Sequence, residues 1–155
     1  MDPRISNPAL LLPGLLEAIR AVSETARAEG LDETVVNLVH IRASQINGCS
    51  VCCDMHNRTA KKAGERDERL FTVAAWRETP YFSDAERAAL ALTEAMTRIA
   101  DRPEAVSDEI FSDAAAHFDE KALAALIVQI AMINTWNRLN AATRQITGDW
   151  VDHFS

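Results

Sequence analysis

Apolar residues recur along this chain at helical spacing, and polar residues fill the positions between them. Between Asp32 and Asn47 the apolar stripe is Val35, Leu38, Val39 and Ile46; after Ser83 it is Ala88, Leu92, Ala95, Met96 and Ile99. Each stripe begins at a start signal. Asp32 is placed to cap the first, which Gly48 stops, and Ser83-Asp84-Ala85-Glu86 reads as a capping box for the second, which extends to about Ala100. Asn7-Pro8 opens an earlier helix that Pro13 delays or kinks and Gly30 ends. Further helices are predicted from about Cys49 to about Ala63, where Gly64 follows, over residues 67–76, and from Ser107 to about His117. The last runs from Asp119 to about Ile146, a length of about 42 Å. Over residues 122–133 it is apolar nearly all round, with Gln129 as the interruption. Such a helix is central to a core or shared with a second copy of the chain. Strand-like alternation never persists. The expectation is an all-α bundle of six to seven helices, one domain over residues 1–155.

Composition narrows the function classes. Of 155 residues, 26 are alanine, while Gly and Pro together number only 10, which favours helix and disfavours a turn-rich β-sandwich. The formal charge of −7 and pI of about 5.1 argue against a nucleic-acid partner, since phosphate contacts need clustered Lys and Arg. Lys61-Lys62 is the one basic doublet and reads as helix surface. The longest apolar stretch is too short to span a bilayer, and Asp2, Pro13 and Gly14 spoil a leader reading of residues 8–16. A cytoplasmic protein is expected, without membrane or nucleic-acid partners.

The three cysteines, Cys49, Cys52 and Cys53, fall within five positions. A structural disulfide framework spreads its cysteines to close long loops; clustered ones point to redox chemistry or metal. On a helix, Cys49, Cys52 and His56 occupy i, i+3 and i+7, one face, with the first two close enough to bridge. The helix N-terminus presents free N–H groups and a positive dipole end, which favour a thiolate, and the imidazole can take up its proton. Cys53 is i+4 from Cys49 and i+3 from His56, so spacing alone nearly equates it with Cys52. A zinc site would recruit Cys53 or His40 as fourth ligand, yet one helix rarely completes a tetrahedron. Small buried hydrophobes are the third reading. A thioredoxin-like reading fails for want of a βαβ pattern. The dithiol centre is preferred.

The run Leu38-Val39-His40-Ile41-Arg42, Ser44-Gln45 and Asn47-Gly48-Cys49-x-x-Cys52-x-Asp54-Met55-His56 resembles the core motif of the alkylhydroperoxidase AhpD-like, carboxymuconolactone decarboxylase family. Ile133-Asn134-Thr135-Trp136-Asn137-Arg138 resembles the C-terminal helix of its short members. The resemblance implies the AhpD-like helical fold. In that family the cysteine-free branch works on lactones and the Cys-x-x-Cys-x-x-x-His branch reduces peroxides. It implies Cys52 as the peroxidatic thiol, Cys49 as the resolving one and His56 in the proton relay. The substrate is then a hydroperoxide and the electron source a dithiol or protein reductant, with no metal, haem or flavin. It also implies a homo-oligomer: a dimer, trimer or hexamer.

Two positions depart from the family pattern. The relay glutamate expected twelve positions before the first cysteine is Asn37, which cannot ionise; Glu33, one turn earlier, is the candidate replacement. The residue before Cys52, a histidine in some peroxidases, is Val51. The family motif favours Cys52 over Cys53. Arg42, on an apolar stripe, is expected to pair with a buried acid. His40 reads as a structural histidine facing solvent or a neighbouring helix, and Trp136 and Arg138 read as packing. His117 and His153 have no constellation around them.

Overall fold

The structure, a computed structural model, describes residues 2–148; His153 lies outside the described residues. Those residues form eight α-helices and no strand. They are α1 (Pro8–Leu11), α2 (Leu15–Arg27), α3 (Glu33–Asn47), α4 (Ser50–Lys62), α5 (Asp67–Thr72), α6 (Asp84–Thr97), α7 (Asp108–His117) and α8 (Glu120–Thr143). Short 3₁₀ turns cover Val73–Glu78 and Ile99–Asp101.

Side-chain caps set most of the starts. Asn7, Asp32, Ser83, Ser107 and Asp119 each accept a first-turn N–H, and Ser83 with Glu86 closes a reciprocal capping box. The expected count of six to seven falls short by the first helix. Pro13 supplies no N–H and Gly14 takes φ 78°, so the chain breaks there and α2 starts afresh at Leu15. The helix expected over 67–76 is α-helical only to Thr72; beyond it the backbone tightens to 3₁₀ and kinks at Ala75 (φ −117°). Similarly, α6 ends at Thr97 with a 3₁₀ turn following, short of Ala100. Arg144 adopts a left-handed conformation (φ 53°) and ends α8 before Ile146, leaving a helix of about 36 Å.

Helix α3 packs on α4, α6 and α8 together, which makes it the central element. One apolar cluster joins α2, α3, α6, α7 and α8 through Val36, Val39, Leu92, Ala114, Leu126 and Ile130. A second joins α3 to α5, α6 and the 3₁₀ turn through Leu38, Ile41, Val73, Trp76 and Leu90. By length and composition α8 could cross a membrane, yet it buries Gln129, Asn134, Asn137 and Asn140 inside the bundle. These amides find partners there: Gln129 Nε2, for example, donates to the Ser23 carbonyl at 2.9 Å. That is the packing of a core helix.

Arg42 meets the acid expected of it. Its Nε bonds Glu94 Oε1 at 2.7 Å, and the same carboxylate receives Trp76 Nε1 (3.0 Å) and Arg77 Nη1 (2.7 Å). Arg69 makes a comparable knot with Glu65, Glu86 and the Tyr81 carbonyl.

Candidate active site

Helices α3 and α4 form a tight hairpin. Gly48, at φ 66°, ends α3 in the left-handed region that an L side chain disfavours, and the next residue is already the cap of α4. That cap is Cys49, whose Sγ accepts the N–H of Cys52 at 3.3 Å. The two cysteines are disulfide-bonded, with Cα atoms 5.3 Å apart. Each is only 3% exposed, in a small cluster with Ala43, Val51 and Ile133 against which Trp136 packs. Cys53 is the free thiol, half-buried, and burial pushes its pKa up. Spacing left Cys52 and Cys53 nearly equivalent; the fold pairs Cys52 with Cys49.

His56 lies one turn beyond Cys52. Burial between the helices, with the positive charge of Arg27 adding to it, lowers its pKa to about 4, so the ring is neutral at pH 7. Its ring meets that of His40 edge-on, with centroids 4.6 Å apart. His40 is 7% exposed, and neither of its ring nitrogens has a hydrogen-bond partner. Burial first, then His56 and Arg27, holds its pKa well below the ordinary value against a smaller opposing effect of Gln129. Sequence suggested a satisfied structural histidine; the structure turns His40 inward, unsatisfied, onto the candidate relay.

Beyond the histidines the hairpin opens. Asn37, one turn before His40, is buried at a groove of about 560 Å³ that Glu33, Ala60, Arg66, Arg69 and Glu86 also line. Cys52, His56, His40 and Asn37 therefore follow one another along the α3–α4 interface towards that groove. Glu33 stands at the groove's rim, exposed and paired with Arg27 at 2.7 Å.

Amides and a hydroxyl lie round the disulfide, and Arg138 Nη1 donates to Asn134 Oδ1 at 3.1 Å. Asn140 Nδ2 points at both sulfurs, 3.3 Å from Cys52 Sγ and 3.9 Å from Cys49 Sγ. Asn7 Nδ2 donates to Asn140 Oδ1 at 2.7 Å. Asn47 Nδ2 donates to Asn134 Oδ1 (2.9 Å) and Asn137 Oδ1 (2.8 Å), and Asn137 Nδ2 donates to Ser44 Oγ (3.1 Å). Sequence reasoning missed Asn140 and Asn7. The signal was present as Asn134, Asn137 and Asn140, three amides at i, i+3 and i+6 on an apolar helix.

The sequence profile of the carboxymuconolactone decarboxylase family matches residues 13–95. The chain belongs to this family. The uncharacterised protein YdfG of Bacillus subtilis is 34% identical over 142 residues, covering 92% of this chain and 95% of that one. ATU0492 from Agrobacterium tumefaciens, of unknown function and named for the antioxidant defence protein AhpD, superposes with a TM-score of 0.86 at 33% identity, covering 94% and 98% of the two chains. The debrominase Bmp8, solved with 2,3,4-tribromopyrrole, shares the fold at a TM-score of 0.76 and 21% identity, covering 88% of this chain and 72% of its own. Within the family fold, the cysteine pair sits at the closed end of the α3–α4 hairpin and Asn37 at the open end.

Proposed function

We propose that this protein is a thiol-dependent peroxidase that reduces hydroperoxides through Cys52 and Cys49. The observation that carries the reading is the Cys49–Cys52 pair at the start of α4 with a neutral His56 one turn along. His56 takes the Cys52 thiol proton; the thiolate attacks the terminal peroxide oxygen and the O–O bond breaks. Cys52 becomes a sulfenic acid, and the alkoxide leaves as the alcohol with the proton from His56. The Cys49 thiol then attacks the sulfenic sulfur, forming the disulfide and releasing water. A dithiol reductant returns two electrons and two protons and departs as its own disulfide. His40 and Asn37 extend the proton path to the groove, with Glu33 at its mouth. Cumene hydroperoxide consumption with a dithiol donor tests the reading: wild type turns over and Cys52→Ser does not. Equal rates in the two reject it.

A second reading is a redox switch, favoured by the burial of both sulfurs and by an amide where the relay carboxylate is expected. It predicts a reversible disulfide with no catalytic peroxide turnover in either protein.

Assembly is the remaining part of the proposal. Val22 and Thr25 of α2 with Ala124 and Val128 of α8 line an apolar groove of about 450 Å³, and Val22 is exposed. A second copy of the chain is its occupant in this reading, joining subunits through α8.

A further inference from the structure

The side-chain amide of Asn140 is fixed in direction by a chain of hydrogen bonds that starts at an unambiguous donor. The backbone N–H of Ala9 donates to Asn7 Oδ1 at 2.9 Å. With its oxygen so engaged, Asn7 turns its NH₂ outward, and Asn140 meets it with Oδ1. The only part of the Asn140 amide left for the sulfurs is its NH₂. A neutral disulfide is a weak acceptor, so this group gains little in the oxidised state. It gains much once negative charge develops on sulfur, because a donor held in place needs no reorganisation.

We propose that Asn140 is a catalytic donor of the redox site, held by Asn7 as its positioning residue, and that together they make Cys52 the sulfur that carries negative charge. The inference rests on the dithiol reading above, which takes Cys52 as the nucleophile, and adds the group that makes it so. Asn140 lies nearer Cys52 than Cys49, whereas Cys49 receives the backbone N–H of Cys52. Cys52 therefore has the Asn140 amide as its near donor at 3.3 Å. Cys49 has the backbone N–H at 3.3 Å, with the same amide more distant at 3.9 Å. Only the Asn140 donor is a side chain that substitution can remove.

The same preference governs reduction. A reductant thiolate bonds to Cys49 Sγ, the Cys49–Cys52 bond breaks, and its electron pair stays on Cys52 Sγ facing Asn140. The reductant's second thiol then displaces Cys49, which leaves with that thiol's proton, and the reductant becomes a disulfide. The N-terminal segment takes part through Asn7. It is strapped to the end of α8 by Arg4 N–H on the Thr143 carbonyl (2.8 Å) and Gln145 Nε2 on the Ile5 carbonyl (2.9 Å).

Asn7→Asp is the sharpest test. The new carboxylate still accepts the Ala9 N–H and caps α1 but cannot donate to Asn140. The Asn140 amide then turns its NH₂ to that carboxylate and its oxygen to Cys52. Asn140→Leu removes the donor outright. The readout is site-resolved iodoacetamide labelling of the reduced protein from pH 5 to 9, with Cys53 as internal reference. Other titratable or charged groups on the packed elements include His56 and the Asp54–Arg58 pair of α4, His40 and the Glu94-paired Arg42 of α3, Arg138 of α8 and Arg4 of the N-terminal segment, with Arg27 acting on the histidines. All are retained in both variants.

In wild type Cys52 labels ahead of Cys49. In Asn140→Leu the Cys52 titration moves up by about one pH unit, a tenfold loss of thiolate on the acid side, and Cys49 labels first. Asn7→Asp moves it in the same direction, and restoring Asn7 restores the order. Labelling ratios within about twofold of wild type in the folded variants overturn the proposal. If Asn140→Leu does not fold, Asn7→Asp decides by the labelling order: its charge raises both thiols, and only the turned amide puts Cys49 ahead of Cys52. Peroxide turnover does not enter the measurement, so a protein without peroxidase activity can still bear out the Asn140 assignment. An active peroxidase with unchanged labelling overturns that assignment alone.

Discussion

Two buried polar clusters flank α3, and they are built from different chemistry. Towards α6, Arg42 and Arg77 hold Glu94 with the help of Trp76. Towards α8, Asn47, Asn134, Asn137 and Ser44 bond one another, with Arg138 on Asn134 at the far side. Asn140, held by Asn7, faces the disulfide with its amide alone. The difference teaches what each is for. An ion pair holds helices in register but imposes a fixed local field. Amide donors stabilise charge that appears on sulfur without fixing charge there in advance. The charged knots serve architecture, and the Asn7–Asn140 amide pair serves the thiols.

That division can be broken most severely at the sulfur itself. Cys52→Ser is expected to lose peroxide consumption entirely while circular dichroism shows the helices unchanged. Next, His56→Gln is expected to slow peroxide reduction about 10²-fold. It also tests linkage. His56 has a folded pKa of about 4 against an ordinary 6.5, so between those values the unfolded chain binds a proton that the folded chain refuses. Stability therefore falls as pH drops from 6.5 to 4, by about 1 kcal/mol per pH unit from His56. In denaturant titrations the Gln variant removes that share of the slope while leaving the share of His40.

Asn37→Glu carries the comparison to the groove. It puts a carboxylate one turn from His40, and an increase of up to about 10²-fold in peroxide rate, with a new acidic limb in the pH profile, is expected. A loss of rate, with collapse in Glu33→Gln, transfers the relay to Glu33. On the charged side, Glu94→Gln is expected to cost about 1–2 kcal/mol of stability because part-buried Arg42 loses its counter-charge. Thiol labelling should not change; a changed order would end the distinction between the clusters. Burial alone would raise the pKa of Glu94, but Arg77, Trp76 and Arg42 hold it below the ordinary range. Its contribution is present above the unfolded value and disappears as pH falls through the folded one. The smallest expected effect is on assembly: Val128→Asp should shift light scattering towards monomer while leaving the labelling order unchanged.

Much of this was legible in the residues. Caps and stops written locally, such as Asp32 with Gly48 and Ser83 with Glu86, placed α3 and the start of α6. The i, i+3 spacing placed Cys49 beside Cys52, and His56 follows one turn along α4. What escaped has a common physical origin in distance along the chain. Asn140 reaches Cys52 across 88 positions, and no local rule aims an amide that far. His40 was read as satisfied because a histidine's own helix does not reveal that Gln129 and His56 will close over it. The switch to 3₁₀ after Thr72 likewise leaves no local mark, since Val73, Ala74 and Ala75 all tolerate an α-helix.

The hairpin turn also sets a clock. Asn47-Gly48 is the kind of pair at which a side-chain amide is lost most readily, since glycine leaves the following backbone nitrogen free to attack it. Here that amide is engaged by Asn134 and Asn137, and the turn is held by the Cys49 N–H on the Ser44 carbonyl. While the turn stays folded, ring closure is geometrically blocked; each opening exposes Asn47 to it. The product is aspartate or isoaspartate, an acceptor facing Asn137 Oδ1, which loses its Asn47 donor, and Asn134 Oδ1, which keeps Arg138. Chemical ageing of this protein should therefore begin beside its redox centre. Peptide mapping after prolonged warming should find residue 47 converted before the other asparagines, and faster in the reduced protein, where the bond between Cys49 and Cys52 no longer braces the turn.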